Sequence, residues 1–530
     1  MSEFEFKRHR SAVAVVGAWL LCASAWAQPA AQGVPLPSIR GFSVAGANPL
    51  AESDVTLALA PLLRQPATLE NLQKASALLE ALLRDKGFGL HRVVLPPQEV
   101  GEVIQLQMVR FAIGQVSVDG TKAFSEDNIR RSLPALAQGG TPNLETLAIQ
   151  TAMANENPSK NAQVALRAAS EPDLIDAAVK VTDSPPLRLS TTLNNTGTQP
   201  TGKDRLTLSV GHDNVMGLDH QFMAAGTTSL ANPSGVWQVG LNYRMPLYNA
   251  LTMLDVQFTD SNVVGDFGTF SSTGAGRSLG LTATRYLYAK PGIKQYAFVS
   301  LEDKTFEPTA LNGISLVGQQ TRRSRPLSLG YAIKAQTSDQ QWGSTVSLAM
   351  NLPGGSGNNL LAYQSESPAV TRSRWTAVRA NGFWSRAFGD GWVFGVRGQA
   401  QWAPTALIAG EQIGVGGHAS LRGTQERALA GDSGFAGTLE ITSPEWVPGL
   451  RWLAFWDAGW TSRQGISGSL VPSNDSASTA GLGLRYARGW LSVALDYGRV
   501  IKGSEVPLAL NSAAPKSSDQ KVHILLSGRY

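Results

Sequence analysis

Cysteine is almost missing from this chain: among 530 residues there is one, Cys22. It sits in an amino-terminal apolar segment that reads as removable, so the mature chain has no disulfide, thiol nucleophile or thiolate metal site. Long hydrophobic runs are missing too. Beyond that segment no apolar stretch approaches the roughly 18 residues of a membrane-spanning helix. Histidine is scarce, with 6 in all. His9, His91, His212, His220, His418 and His523 form no pair or cluster at zinc-ligand spacing. The 45 basic and 40 acidic residues nearly balance, giving a net charge of +5. The basic residues are scattered, which argues against a nucleic-acid interface. Thr201-Gly202-Lys203 lacks the upstream glycine of a phosphate loop and runs into Asp204, so nucleotide binding is not indicated. No cofactor or metal is implied.

What is present begins with a secretory signal over 1–27. Lys7, Arg8 and Arg10 form its basic start, 11–25 its apolar core, and Ala25-Trp26-Ala27 its cleavage site. A short linker, 28–36, follows, too short for an additional helix. Residues 37–110 then read as strand, helix, helix, strand, strand. Strands are expected over 41–44, 91–95 and 103–109, and helices over 52–63 and from the cap Thr68 to Gly87, with Leu72, Ala75, Leu79 and Leu82 on one face. Residues 111–184 repeat that order, with Ser125 and Asn143 as helix caps and strands over 111–118, 164–168 and 175–181. Two similar α+β modules in series are the expectation.

From 185 to 530 the chain repeats a strand of about ten residues and a turn, with short and long connections alternating, as in an outer-membrane barrel. Sixteen strands are expected, starting near residues 187, 204, 219, 236, 252, 278, 295, 325, 342, 376, 392, 434, 450, 479, 490 and 521. The fold class is therefore two periplasmic α+β modules followed by a 16-stranded antiparallel transmembrane β-barrel. Leu491, Val493, Leu495 and Tyr497 share a lipid face, as do Val522, Ile524, Leu526 and Tyr530. Trp452, Trp456 and Trp460 share another, which turns Asp457 toward the lumen. Short turns face the periplasm and long loops the outside, so residues 404–433 form the sixth external loop. His212-Asp213 and Asp219-His220 flank a periplasmic turn and read as solvated.

Loop six carries Leu421-Arg422-Gly423, which resembles the hydrophobic-Arg-Gly-aromatic signature of the two-partner secretion transporters, with Thr424 in the aromatic place. Gly431-Asp432-Ser433-Gly434 with Leu439-Glu440, and Phe455-Trp456-Asp457-Ala458-Gly459, are similar to that family's following strands. Asn155-Glu156-Asn157-Pro158 resembles its Asn-x-Asn-Pro turn. The resemblance implies that the two modules are polypeptide-transport-associated (POTRA) domains. It also implies an outer-membrane pore of a Gram-negative bacterium that exports an unfolded partner exoprotein through its amino-terminal secretion domain, without ATP. Lipid and lipopolysaccharide would surround the barrel, and the barrel-assembly machinery would insert it.

A guanidinium on a Gly-rich loop folded into a polar lumen needs a carboxylate, since an unpaired buried charge is costly. A bidentate Arg422–Asp457 latch is therefore expected, supported by Gly431, Asp432, Gly434, Glu440, Phe455 and Gly459. For cargo capture by strand addition or in a groove beside a helix, the expected surface is the third strand of each module and the helix starting at Asn143: Asn143, Leu144, Leu147, Ile175 and Val179. The linker leaves no room for the plug helix of many relatives, so loop six would have to limit leakage alone. Rival readings are a barrel-assembly insertase of the same superfamily and a passive porin. An enzyme is not expected: Ser433 lies in a protease-like Gly-Asp-Ser-Gly, but no histidine–aspartate pair accompanies it.

Overall fold

The computed structural model describes residues 36–199, 201–267, 269–287, 292–308, 310–311, 314–315, 318–465 and 471–530. The expected signal segment and all but the last residue of the expected linker lie outside these.

The first module places a strand, Gly41–Gly46, two helices, Glu52–Leu59 and Leu69–Asp85, and two more strands, His91–Val94 and Val103–Arg110. Thr68 starts the second helix by accepting a hydrogen bond from the Asn71 amide at 3.2 Å, a cap worth about 1 kcal/mol. Leu72, Ala75, Leu79 and Leu83 form its buried face. Leu83 takes the place expected for Leu82, because the 3.6-residue period drifts around the helix.

The second module repeats the order with strands Ala112–Asp119, Lys160–Ala168 and Leu174–Asp183 and helices Glu126–Ser132 and Leu144–Ala154. Ser125 and Asn143 cap its helices. In both modules the third strand is central, paired in parallel with the first and antiparallel with the second.

Most of the remaining strands close into one antiparallel barrel, from Leu187–Asn194 to Gln520–Arg529, while three short two-stranded hairpins stand apart from it. Sixteen strands cross it, counted here in chain order. The eighth is made of two pieces, Arg322–Ser324 and Pro326–Gln336. Observed starts lie within five residues of the expected ones, the fourteenth (Asn474–Arg488) being the farthest off. Strand sixteen closes on strand one through Leu525↔Asn194 to Arg529↔Ser190. Period-two alternation sets the faces: Val522, Ile524, Leu526, Trp452 and Trp456 are exposed on the outside, while Asp457, Asp496 and His523 are buried inside. Tyr530 stacks on Trp490 with ring centroids 5.6 Å apart, an aromatic contact at the rim.

The second module is docked on the barrel. Ile149, Met153 and Ala154 of helix Leu144–Ala154 share a buried cluster with Tyr248, Leu251, Met253, Tyr286 and Tyr296 of the periplasmic rim. A helix from the module therefore lies across one side of the pore mouth.

Candidate functional site

Loop six leaves strand eleven (Trp392–Trp402), enters the lumen and returns at strand twelve (Ser433–Thr442). Its stem is a small hairpin in which Ile413–Val415 pairs with Leu429–Gly431. The tip folds back on itself. Thr424 donates its hydroxyl to Leu421 O at 2.7 Å and accepts from Gly417 N at 3.1 Å. Thr424 thus ties the turn by hydrogen bonds that an aromatic ring in its place could not make. Leu421 is buried with Ile413, Val415, Leu429, Ala436 and Ala477, fixing the tip against strands twelve and fourteen.

This presents Arg422, 1% exposed, to a lumenal carboxylate cluster. Nε donates to Asp457 Oδ2 and Nη2 to Asp457 Oδ1, both at 2.9 Å, and the Arg422 amide also donates to Oδ2 at 2.9 Å. Nη1 donates to Glu440 Oε2 at 2.7 Å and lies 3.8 Å from Asp496 Oδ1. The guanidinium carbon is 3.5 Å from the centroid of the Phe455 ring, a cation–π contact. Asp496 is in turn held by Arg485 Nη2 at 2.9 Å. The cation thus meets its carboxylates in the bidentate geometry that suits a guanidinium.

Two glycines let the backbone come this close. Gly423 has φ +90, and a Cβ there would lie 2.7 Å from the Gly498 carbonyl on strand fifteen. A Cβ on Gly498 would lie 2.6 Å from the Gly423 nitrogen. The Gly423 amide donates to His523 Nε2 of strand sixteen at 3.0 Å. The tip therefore touches strands twelve to sixteen.

The other motif residues fix the loop's ends. Asp432 accepts from Leu407 N at 2.8 Å, Gln412 Nε2 at 3.0 Å and Gln464 N at 2.7 Å. Gly431 and Gly434 pack directly on backbone: a Cβ would meet Ser462 O at 2.7 Å and Trp460 O at 2.5 Å respectively. Ser433 Oγ is bonded to the Ala403 amide at 3.0 Å and carbonyl at 3.2 Å, whereas His418 Nδ1 faces Glu426 at 3.2 Å. Serine and histidine do not meet. Gly459 leaves room for the Val415 side chain.

The residues expected to bind cargo are placed differently. Asn143 caps its helix and donates to Lys86 O at 2.8 Å, and the Leu144 amide donates to Gly87 O at 2.8 Å, so both join the two modules. Leu147 and Val179 are buried in the second module's core, and Ile175 is half-buried. Strand addition to the third strands is ruled out, because each already has a neighbour on both sides. The period-two pattern showed that these were strands but not where in the sheet they lay. The first and second strands lie at the sheet edges, and in module two the first strand is paired there only through Ile113, which bonds to Gly139 and Gly140. Beside the first strand of module two a groove of about 600 Å³ is lined by Val116, Val118, Ile129, Leu133, Leu136 and Val179.

A second polar site joins that module to the barrel, and here the expectation of solvated carboxylates fails. Asp213 and Asp219 are 0% and 2% exposed, because the Asn-x-Asn-Pro turn wedges against the turn between strands two and three. Asn157 Nδ2 donates to Asp213 O and Asp219 Oδ1, both at 2.6 Å. Ser159 Oγ donates to Asp213 Oδ2 at 2.6 Å, and Lys160 Nζ lies 2.8 Å from Asp219 Oδ2 and 3.1 Å from Asn128 Oδ1. The Tyr248 hydroxyl also donates to Asp219. Burial lowers the Lys160 pKa against the pull of Asp219.

Sequence reading missed this joint, the contacts of Gly498 and His523 with the loop tip, and the stacking of Phe455 on Arg422. Shared lumenal parity of Glu440, Phe455 and Asp457 was the available signal for part of it.

A closed barrel with two such modules and an arginine-tipped loop in its lumen defines an outer-membrane barrel of the POTRA superfamily. Residues 175–486, more than half of the chain, match the haemolysin secretion/activation protein family ShlB/FhaC/HecB, and residues 38–110 match a POTRA domain of ShlB type. The chain belongs to that family and is an outer-membrane transporter of the two-partner secretion type. The outer membrane transporter CdiB of Dickeya dadantii (strain 3937) is 23% identical over 478 residues, covering 85% of this chain and 80% of that protein. Among solved structures, CdiB from Escherichia coli superposes with a TM-score of 0.73 at 17% identity, over 96% of this chain and 93% of the other. CdiB from Acinetobacter baumannii gives 0.70 at 16% identity, over 94% and 90%. These two likenesses speak for the fold.

Proposed function

We propose that the periplasmic modules capture an unfolded secreted partner by its amino-terminal secretion domain and pass it through the barrel, with loop six as a latch. The observation that carries this reading is the buried Arg422–Asp457 pair inside the lumen. A pair of this kind is stable while both partners are seated and costly once one is lost, which gives a latch two defined positions. Capture is supported by the groove beside the first, edge strand of module two, where an extended segment could add to the sheet. Onward passage is supported by a cavity of about 950 Å³ at the pore mouth, lined by Leu144, Ala148, Ile149, Lys294, Lys334 and Phe383. On this reading ATP is not required, and folding of the exported chain outside supplies the direction.

The test is export in cells that co-express the partner exoprotein, assayed in the medium. Arg422→Ala should lower the export rate by about tenfold or more, in keeping with the cost of a buried carboxylate left alone. Barrel folding is followed separately by heat-dependent gel mobility. A variant that folds and exports at the wild-type rate would refute the latch. Export into nucleotide-free proteoliposomes tests the energy source.

A further inference from the structure

Loop six is held at a second place, where its stem begins. The turn Ala409–Glu411 delivers the Glu411 carboxylate, 2% exposed, into a polar cluster on a different arc of the wall. Oε2 accepts from Arg379 Nη2 of strand ten at 2.8 Å. Oε1 accepts from Ser324 Oγ of strand eight at 2.6 Å and lies 3.7 Å from Lys304 Nζ of strand seven. Lys304 also faces Glu302 at 3.2 Å. Arg379 is oriented by its Nε bond to Gln401 Oε1 at 2.9 Å. Gln401 Nε2 donates to Glu411 O at 3.0 Å and Asp432 O at 3.1 Å, tying the two ends of the loop together. Beside the carboxylate, Leu407 and Ile408 pack into a buried cluster with Phe306, Tyr363 and Trp375. The Gly410 backbone lies so close to Phe306 that a Cβ would reach its ring Cζ at 2.5 Å.

The two anchors take hold of different stretches of the wall. Arg422 is bound to strands twelve and thirteen, with its neighbour Gly423 on fifteen and sixteen, while Glu411 is bound to strands seven, eight and ten. In a closed ring of sixteen, strands seven and eight face strands fifteen and sixteen. The loop is therefore a strut across the lumen. Each end is a charged group that burial would expel if it were unpaired. We infer that Glu411 is a positioning residue for loop six: it fixes the stem as a pivot, so that release of Arg422 swings the tip aside while the loop stays in the pore. This rests on the latch reading for the movement of the tip, but the anchor itself stands on its own contacts.

Single-channel recording of the full-length protein in planar bilayers separates the two. Arg422→Ala should raise the ratio of open to closed time yet keep closures, because the stem is still fixed. Glu411→Ala alone, with the tip still latched, should change little. The double variant should raise the ratio about tenfold above Arg422→Ala and lose the remaining closures. Glu411→Gln in the same background should fall between, since it keeps an acceptor for Ser324 and loses the attraction to Arg379 and Lys304. A double variant indistinguishable from Arg422→Ala overturns the anchor, and the apolar cluster alone then holds the stem. Arg422→Ala at the wild-type ratio overturns the latch, and the step from single to double variant still reads the anchor. Should chains carrying Glu411→Ala fail to fold by gel mobility, Arg379→Met with Arg422→Ala asks the same question from the wall. The same rise supports the anchor, and no rise overturns it.

Discussion

Two of the buried cation–carboxylate pairs in this protein invite comparison, and the difference between them lies in what carries the cation. At the periplasmic joint Lys160, on a module strand, faces Asp219, on a tight turn between two barrel strands. Met216 and Asp219 both have positive φ in that turn, 56 and 66, so its shape is set locally and neither strand can leave the sheet. In the lumen Asp457 is on a barrel strand too, but Arg422 rides on a loop of thirty residues, 403–432. The chemistry is the same in both places. At the joint, breaking the pair requires a whole docked module to move away from an apolar contact. In the lumen it requires only a tip to swing. On the proposed latch reading, the pair carried by a docked module keeps that module aligned with the mouth, and the pair carried by a loop is the one that lets go.

The strongest way to break the comparison leaves every charge in place. Gly498→Val puts a Cβ 2.6 Å from the Gly423 nitrogen and 2.7 Å from the Arg422 carbonyl. The tip then cannot seat, and Asp457 is left buried without its partner, at about 3–5 kcal/mol. Export should fall and the ratio of open to closed time should rise as they do for Arg422→Ala, in a barrel that still folds. Wild-type closure in this variant would show that the tip does not need the close approach.

A somewhat smaller effect is expected at the joint. Lys160→Met keeps the shape and removes the charge opposite Asp219. Asp219 keeps its hydrogen bonds from Asn157 and Tyr248, so the loss should sit near the lower end of the range for a broken buried pair, about 3 kcal/mol. The expected outcome is faster proteolysis of the connection between residues 183 and 187, with channel closure unchanged. Closure that changes along with proteolysis would mean that the two pairs are coupled, and the contrast drawn between them would fall.

A surface pair supplies the control. Lys294 and Glu156 lie 2.8 Å apart at the same rim, with both side chains partly exposed, and such pairs are worth about 0.2–1 kcal/mol. Glu156→Gln should shift proteolysis far less than Lys160→Met does. An equal shift would show that burial is not what strengthens the joint.

Much of this contrast could be read from sequence on the latch side and little of it on the joint side. Alternation along strand thirteen turned Asp457 inward, loop parity put Arg422 on the sixth external loop, and the family resemblance pointed that loop into the lumen. Asp213 and Asp219 looked solvated because a turn next to polar residues normally is. Only the docking of a second folded unit on that turn buries them, and sequence periodicity does not report how units dock. Glu411 was hidden for a related reason: its partners Lys304, Ser324 and Arg379 are remote in sequence and meet it only when the ring closes. The third module strands failed differently. Their hydrophobic alternation marked them as strands, but a central strand and an edge strand alternate alike.

The weakest expected effect sharpens the comparison through pH. Asp183 ends the last strand of module two, beside the joint. Partial burial pushes its pKa up, but amide donors from Lys122 at 3.0 Å and from Ala123 and Phe124 at 2.9 Å outweigh this and hold it below the ordinary aspartate range. A carboxyl whose pKa is lower folded than unfolded adds stability above the unfolded value and loses it as pH falls through the folded one. Module two should therefore hold constant stability at neutral pH and loosen as pH drops below about 4. The measurement is proteolysis of the 183–187 connection across that window, after return to a common assay pH. Asp183→Asn should begin weaker at neutral pH and lose part of the acid dependence. If variant and wild type loosen in parallel, the proton is taken up elsewhere and Asp183 does not carry the acid dependence.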